Sequence, residues 1–539
     1  MSESMINLKI NDQSVLAPAG VNLIEAAKLI GVEIPHFCYH PSLCIAGNCR
    51  MCVVEVATLR TSPTGQPVLE WNPKLTIACN TTVVEGMEVK TDTPRVLEAR
   101  RGVMEFLLIN HPLDCPICDQ AGECRLQELA VDYGQAESRF VEEKEKKPKK
   151  TPLGPKVILD DERCILCSRC IRFMRDVAKQ DCLGFVGRGS HSTLTYYPGH
   201  EPDSNYLLNT VDLCPVGALT SVDFRFKQRV WFLKQTRSIC PHCATGCNTV
   251  ISSREDQVYR QTPRDNEAVN VCWMCDEGRL NYRFVNDALR LRDPVAKVAG
   301  KPAEVMNWPD MTRLVSDALT AHRDAGTGQI AFVGSARATT EELFLFRQLA
   351  DAVKVSLSDV IPHDGQADSF LVKKDRTPNM RGALLTGVAA SPPGRHIPLI
   401  AQGIEEGRIT ALVVLGENVA AAGIGPDLLA KLACLVVIDV LPGATTEAAH
   451  YLLPGGSFAE KAGTFINEVG RIQKINPAVA SPGQARPEWK TLAALLERLG
   501  HPGYSDLDRV FNQMAKTLAP LAGLTFGKIG SQGVQLNVE

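Results

Sequence analysis

One stretch, His111-Pro-Leu-Asp-Cys115-Pro-Ile-Cys118-Asp-Gln-Ala-Gly-Glu-Cys124, sets an imidazole beside three thiols. Thiolates this dense are soft ligands suited to zinc or iron–sulfur chemistry. Zinc sites usually draw on two Cys-x2-4-Cys pairs, or on one such pair with a His pair. Here there is one pair, a lone later Cys and an upstream His. Imidazole can replace thiolate on iron, and in Rieske centres it raises the potential. The pattern points to an iron–sulfur centre with one His and three Cys ligands. The bland alternative, a surface His among free thiols, is weakened by three more cysteine sets around it.

The first set is Ile34-Pro-His-Phe-Cys38-Tyr-His-Pro-Ser-Leu-Cys44-Ile-Ala-Gly-Asn-Cys49-Arg-Met-Cys52 with Cys79. Cys44-x4-Cys49-x2-Cys52 followed by Cys79 has plant-type 2Fe–2S spacing. Cys38-x10-Cys49-x2-Cys52 followed by Cys79 is the other possibility, and spacing alone prefers Cys44. The second set is Cys164-Ile-Leu-Cys167-Ser-Arg-Cys170 with the distant Cys214-Pro215. It supplies the four corners of a 4Fe–4S cubane in the bacterial ferredoxin manner. No further Cys triplet precedes Cys214, so a single cluster is expected there. Cys182 has no partner in spacing and reads as a buried thiol. The third set is Cys240-Pro-His-Cys243-Ala-Thr-Gly-Cys247 with Cys275. Cys272 competes with Cys275, and the Gly-Arg after Cys275 favours the latter. His242 breaks no spacing and reads as a neighbour of the centre rather than a ligand.

The 539 residues exceed one core and imply roughly three to five domains. The net charge of −3 gives no prior for nucleic acid or an anionic membrane. No apolar run reaches the roughly 18 residues of a spanning helix, and the N-terminus shows no signal-peptide pattern. The chain reads as cytosolic, or as docked on membrane machinery through other subunits. All of its 19 cysteines except Cys434 precede residue 276. Cysteines confined to one half of a long leaderless chain mean metal rather than disulfides.

The elements that must position these ligands are also legible. Residues 5–10 and 13–16 alternate around Asn11-Asp12, a hairpin signal. Helical spacing covers 22–30, and 53–56 reads as a strand. Gly47 and Asn48 can take positive φ and let N–H groups approach the sulfurs. An amphipathic helix over 96–109 leads into His111, and another over 126–131 follows Cys124. The run EEKEKKPKK at 142–150 reads as a solvated linker. Beyond about residue 290 strands alternate with helices: 329–333, the helix 340–353, 412–415 and 435–438. This predicts a doubly wound parallel sheet. Gly334 is a lone phosphate signal without a GxGxxG fingerprint.

Hairpin, helix, cysteine loop and strand together resemble a 2Fe–2S ferredoxin of the β-grasp fold, and Ile34 to Cys52 resembles its respiratory variety. That likeness implies Cys38, with Cys44 a bystander. Cys240 to Arg279 resembles the 4Fe–4S domain that opens molybdopterin oxidoreductases. Asp375-Arg-Thr-Pro-Asn-Met-Arg-Gly382 and the segment Phe458 to Arg471 resemble loops of that superfamily. The order of the four sets resembles the large peripheral-arm iron–sulfur subunit of NADH–quinone oxidoreductase, respiratory complex I, closely over 1–290 and loosely over 290–539.

The resemblance implies a multidomain α+β and α/β chain. Its parts are a 2Fe–2S β-grasp domain (1–94), a helical 4Fe–4S domain with one His and three Cys ligands (95–141) and a 4Fe–4S ferredoxin-like domain (151–232). A molybdopterin-oxidoreductase-type 4Fe–4S domain (233–289) and a degenerate, truncated molybdopterin-oxidoreductase-like α/β domain (290–539) follow. The implied ligands are Cys38, Cys49, Cys52 and Cys79 for one 2Fe–2S cluster. Three 4Fe–4S clusters would use His111, Cys115, Cys118 and Cys124; Cys164, Cys167, Cys170 and Cys214; and Cys240, Cys243, Cys247 and Cys275. No catalytic residue and no molybdopterin are expected. The implied role is an electron relay on the cytoplasmic side of a bacterial inner membrane. Its partners would be the NADH/FMN-binding subunit, a 2Fe–2S subunit and quinone-side connecting subunits, with membrane contact only through the complex and no nucleic acid. The rival is the α-subunit of an NAD-linked molybdenum formate dehydrogenase, for which Cys434 is the only candidate metal ligand. An iron-only hydrogenase would need further cysteines.

Overall fold

The computed structural model describes residues 4–63, 65–297, 303–326, 329–355 and 357–537. The chain divides into two compact units, 1–231 and 232–539.

In the first unit, Asn11 and Asp12 both take positive φ, 48° and 66°. A two-residue hairpin turn needs this pair of left-handed residues, and it joins the strands Met5–Ile10 and Gln13–Pro18. The first of these also pairs in parallel with Glu88–Lys90, which pairs antiparallel with Val53–Thr61. The result is a mixed six-stranded sheet. The helix Leu23–Lys28 is capped by the Asn22 side chain, which accepts from the N–H groups of Ile24 and Glu25. Its Leu23, Ile24, Ala26 and Ala27 pack with Leu8, Ile10, Val54, Val56 and Val89 of the sheet. A hairpin, a crossing helix and a mixed sheet make the β-grasp arrangement.

The helix Pro94–Leu108 starts from a Thr93 cap with proline in its first turn. Its buried Arg100 donates to the carbonyl of Val53 at 3.0 Å, tying the helix to the sheet. A second helix, Arg125–Tyr133, follows Cys124 directly. The charged run 142–150 is mostly exposed, as expected of a solvated linker, but part of it is tied down. It has no regular secondary structure, yet Lys144 Nζ donates to the carbonyls of Leu108 and Ile109 at 2.9 and 2.7 Å. A lysine at a helix C-terminus satisfies the last carbonyls and complements the dipole. Lys149 pairs with Asp114 and Glu162 at 2.7 and 2.5 Å. The run is a strap over the cysteine-bearing segments because carbonyls and carboxylates distant in sequence face it.

The second unit opens with a three-stranded antiparallel sheet, Lys234–Ile239, Asn248–Arg254 and Gln257–Pro263. A seven-stranded sheet follows. Five of its strands, Ile330–Gly334, Leu357–Val360, Ala411–Leu415, Cys434–Asp439 and Tyr451–Pro454, are parallel. Strand residues alternate between faces. Ile330, Phe332, Val413, Leu415, Val436 and Ile438 enter one core, while Ala331, Val333, Leu412, Val414, Leu435 and Val437 enter another. Burial on both faces explains the unbroken apolar runs and gives the doubly wound sheet. Among the described residues no helix is long and apolar enough to cross a membrane.

Candidate iron–sulfur centres

The 2Fe–2S candidate sits between the crossing helix and the strand at Val53. The backbone turns sharply at Gly47 (φ 64°) and Arg50 (φ 60°). Asn48, expected to share that role, instead donates its side-chain amide to the carbonyl of Leu166 at 3.1 Å. Cys38, Cys52 and Cys79 are buried and Cys49 is half-buried. The Cys49 and Cys79 thiols and the N–H groups of Cys49 and Asn48 hold the Cys38 thiol well below its usual range. Cys52 is lowered in the same way by the Cys79 thiol. The structure thus brings Cys38, Cys49, Cys52 and Cys79 together. Cys44 is exposed and its thiol meets the Asp176 carboxylate at 3.0 Å. That carboxylate raises its pKa.

Cys164, Cys167, Cys170 and Cys214 line one small cavity with Phe185, Leu194 and Val216. Leu166 and Ser168 take left-handed backbone, φ 55° and 61°, which folds the three thiols of the Cys-x2-Cys-x2-Cys loop inward. Burial pushes the Cys164 and Cys167 thiols up to about 12 and about 11. Buried apolar surroundings penalise unpaired thiolates, so such a donor set fits a group whose iron offsets their charge. Arg172 is buried and donates to the carbonyls of Cys38 and Cys44 in the 2Fe–2S loop, and to that of Cys167 at 3.4 Å. Arg169 donates to the carbonyls of Tyr39 and, at 3.2 Å, Leu213. Two guanidinium groups therefore lock the loops of two neighbouring sets. Cys182 is buried, as its lack of a spacing partner suggested.

In the His111 set, Cys115 and Cys124 line a groove with Gly122, Val131 and Trp231. Cys118 is buried, and its pKa is raised first by burial and further by the nearby Cys115. Burial, then the charges of Arg163 and Lys144, push the His111 imidazole down to about 4. It is therefore neutral at physiological pH, the form that can donate a lone pair to a metal. The segment after Cys214 walls this set too. A Cβ on Gly217 would stand 2.4 Å from Cys118 Sγ, and Pro215 accepts the Arg125 N–H at 3.0 Å.

In the second unit Cys240, Cys243, Cys247 and Cys275 are all buried. A Cβ on Gly278 would lie 3.0 Å from Cys240 Sγ and 3.1 Å from Cys275 Sγ, so the glycine leaves room for both sulfurs. Burial, followed by Cys240, Cys243 and Cys275, raises the Cys247 thiol far above its usual range. Cys272 is half-buried. His242 turns to Glu277 and Arg376, 3.2 Å from each. Among the described residues no three such side chains converge as ligands of a single metal ion. A multi-iron cluster holds its ligands farther apart than one ion does.

Cys434 opens the strand Cys434–Asp439 and is buried, its thiol pushed up to about 12 by burial alone. The rise of about 3.3 Å per residue puts it about 17 Å from the strand's far end.

Comparison with known proteins follows the same divisions. Residues 3–94 match a 2Fe-2S iron-sulfur cluster binding domain, and 100–139 match the NADH-ubiquinone oxidoreductase-G iron-sulfur binding region. Residues 154–220 match the ferredoxin-like domain of NADH-quinone oxidoreductase subunit 3, and 233–283 an NADH-ubiquinone oxidoreductase NDSU1/NuoG-like 4Fe-4S domain. Residues 388–498 match molybdopterin oxidoreductase. The G-type subunit of NADH-quinone oxidoreductase from Rickettsia felis is 42% identical over 345 residues, 64% of this chain and 49% of that one. The mitochondrial NADH dehydrogenase [ubiquinone] iron-sulfur protein 1 of Solanum tuberosum is 43% identical over 317 residues, 59% of this chain and 41% of that one. The NADH-ubiquinone oxidoreductase 75 kDa subunit of Reclinomonas americana is 29% identical over 662 aligned positions, 97% of this chain and 93% of that one. The chain spans about half the length of the first of these relatives.

Proposed function

We propose that this chain, which belongs to the family of G-type iron–sulfur subunits of NADH-quinone oxidoreductase, relays electrons from an NADH- and FMN-binding subunit toward quinone-side subunits. The observation that carries the reading is the continuity of three cysteine sets in the first unit. Arg172 joins the loop of Cys38 to that of Cys167. The segment from Cys214 to Gly217 then joins the Cys164 set to Cys118.

In this reading Cys38, Cys49, Cys52 and Cys79 hold a 2Fe–2S cluster. Each of the sets His111/Cys115/Cys118/Cys124, Cys164/Cys167/Cys170/Cys214 and Cys240/Cys243/Cys247/Cys275 holds a 4Fe–4S cluster. Such clusters, when bound, take up and release single electrons at potentials set by ligand type, hydrogen bonds and exposure. The chain's residues supply those settings. Backbone N–H groups of Cys49 and Asn48 point at the Cys38 sulfur, and the neutral His111 replaces one anionic ligand, which raises the potential of its centre. Arg169 and Arg172 fix loop against loop. The chain works as part of the oxidoreductase and makes no bonds of its own. We place it on the cytoplasmic side of a bacterial inner membrane, held there by the complex.

The match of 388–498 to molybdopterin oxidoreductase raises the rival molybdenum formate dehydrogenase. Cys434, its only candidate thiolate, stands at the end of its strand opposite the crevice where α/β sheets bind ligands. Metal analysis of the natively purified assembly separates the two readings. The relay predicts iron without stoichiometric molybdenum, and the rival requires molybdenum.

A further inference from the structure

Two cations stand between the Cys38 and Cys164 sets without an anion of their own. The short helix Arg169–Arg172 begins inside the Cys164 to Cys170 loop and runs on into a π-helical turn, Phe173–Val177. Its two arginines are three residues apart, so they share one face. Arg172 is only 4% exposed. Its Nε donates to the Ser168 hydroxyl at 3.2 Å, and its terminal nitrogens donate to the carbonyls of Cys38, Cys44 and, at 3.4 Å, Cys167. Arg169 donates to the carbonyls of Tyr39 and, at 3.2 Å, Leu213, while its buried Nε has no hydrogen-bond partner among the described residues. Every one of these acceptors is a neutral oxygen. Among the described residues neither guanidinium meets a carboxylate.

Other arginines nearby are paired. Arg163, beside the His111 set, meets Asp114 at 2.9 Å and Asp160 at 3.3 Å. Arg175 is exposed on the π-helical turn and meets Asp176 at 2.7 Å. A buried cation without a counter-ion is costly, and two side by side also repel. Burial lowers the pKa of Arg169; the Cys167 and Cys214 thiols oppose that shift, Arg172 adds to it and Cys38 opposes it. Sulfur from both sets is thus the negative charge within reach of the pair. A centre held by four thiolates is anionic, and an added electron makes it more so. A fixed cation in a site of low dielectric favours that added charge.

We propose that Arg169 and Arg172 are the shared counter-charge of the Cys38 and Cys164 centres and hold the reduction potentials of both upward together. The proposal rests on the relay reading. Reduction of either centre takes one electron from the donor side and transfers no atom, so the arginines meet one added negative charge. Because Arg172 touches the loops of both sets, its loss moves both potentials in the same direction. A shift common to both leaves the driving force between them unchanged and strengthens their pull on electrons from the donor.

The test is an EPR-monitored redox titration of the natively purified, intact assembly, with signals assigned by their loss in Cys38→Ala and Cys164→Ala. In Arg172→Gln the ratio of reduced to oxidised centre at a fixed potential should fall about tenfold for both signals, about 59 mV for a one-electron couple. Arg172→Lys keeps the charge without the fork and should hold both within about threefold of the wild type. Arg175→Gln, which removes a cation already paired with Asp176, should move neither, and the His111 centre should stay in place throughout. Absence of both signals from the wild type overturns the relay and this proposal with it. Wild-type signals that Arg172→Gln leaves unmoved overturn the proposal alone, as does an equal fall in Arg172→Lys or Arg175→Gln. Should Arg172→Gln lose iron, Arg169→Gln, which leaves the Arg172 bridge in place, decides by the same fall in both signals or its absence.

Discussion

Gly217 lies against Cys118 so closely that a Cβ added to it would stand 2.4 Å from the sulfur. The glycine comes three residues after Cys214, whose thiol faces a different set. One short segment therefore serves two proposed centres.

Gly217→Ala should disturb the centre of Cys118 while the Cys214 centre persists. Overpacking of this kind costs about 1–3 kcal/mol, here concentrated on a sulfur that iron would hold in place. Low-temperature EPR should show one 4Fe–4S signal shifted or lost, alongside a lowered melting temperature. Spectra and melting identical to the wild type would mean that Cys118 moves freely and is no ligand.

His111→Ala should remove or convert one cubane and block electron flow to quinone in the assembled complex. His111→Cys should restore a cubane at a lower potential, since thiolate lacks the potential-raising effect of imidazole. The neutral, half-buried ring motivates both. Unchanged spectra and turnover in His111→Ala would show that the residue merely fills space.

Cys38→Ala should abolish the 2Fe–2S signal and Cys44→Ser should preserve it. The sulfur of Cys38 stands with those of Cys49 and Cys79, while Cys44 turns to Asp176. The reverse result would restore the plant-type spacing. Iron content of each variant guards against exchange between the two thiols.

The second unit should lose stability as pH rises through neutrality. Burial raises Glu341 to about 7 from its usual 4.5, although Thr464 donates to it through its N–H and hydroxyl at 2.8 and 2.9 Å. The folded state then keeps a proton that the unfolded chain releases above about 4.5. The resulting stability is fully present below that value and is lost as pH rises through about 7, on the order of 2–3 kcal/mol. Glu341→Gln keeps the size and removes the titration, so melting temperature plotted from pH 5 to 8 should flatten. An unchanged slope in that variant would assign the pH dependence to other groups.

The cysteine sets were legible because most of their ligands lie close in sequence, three to six residues apart within a loop, with Cys38 eleven before Cys49, and the sheet because its strands are unbroken apolar runs. What escaped depends on contacts far apart along the chain. Spacing alone prefers Cys44, and only the family likeness points to Cys38. The contact that turns the Cys44 thiol aside comes from Asp176, more than a hundred residues later. Lys144 looks solvated like the rest of 142–150 until the carbonyls of Leu108 and Ile109 are seen beneath it. Positive φ was expected at Gly47 and Asn48 and falls on Gly47 and Arg50, while the Asn48 side-chain amide donates to the distant carbonyl of Leu166.

The most direct test of the relay is EPR of the natively purified, intact assembly during reduction by NADH and reoxidation by quinone. The 2Fe–2S and 4Fe–4S signals lost in the Cys38→Ala and His111→Ala variants should appear with NADH and disappear with quinone in the wild type. Signals that stay oxidised under NADH, or that are reduced only by formate, would contradict the account.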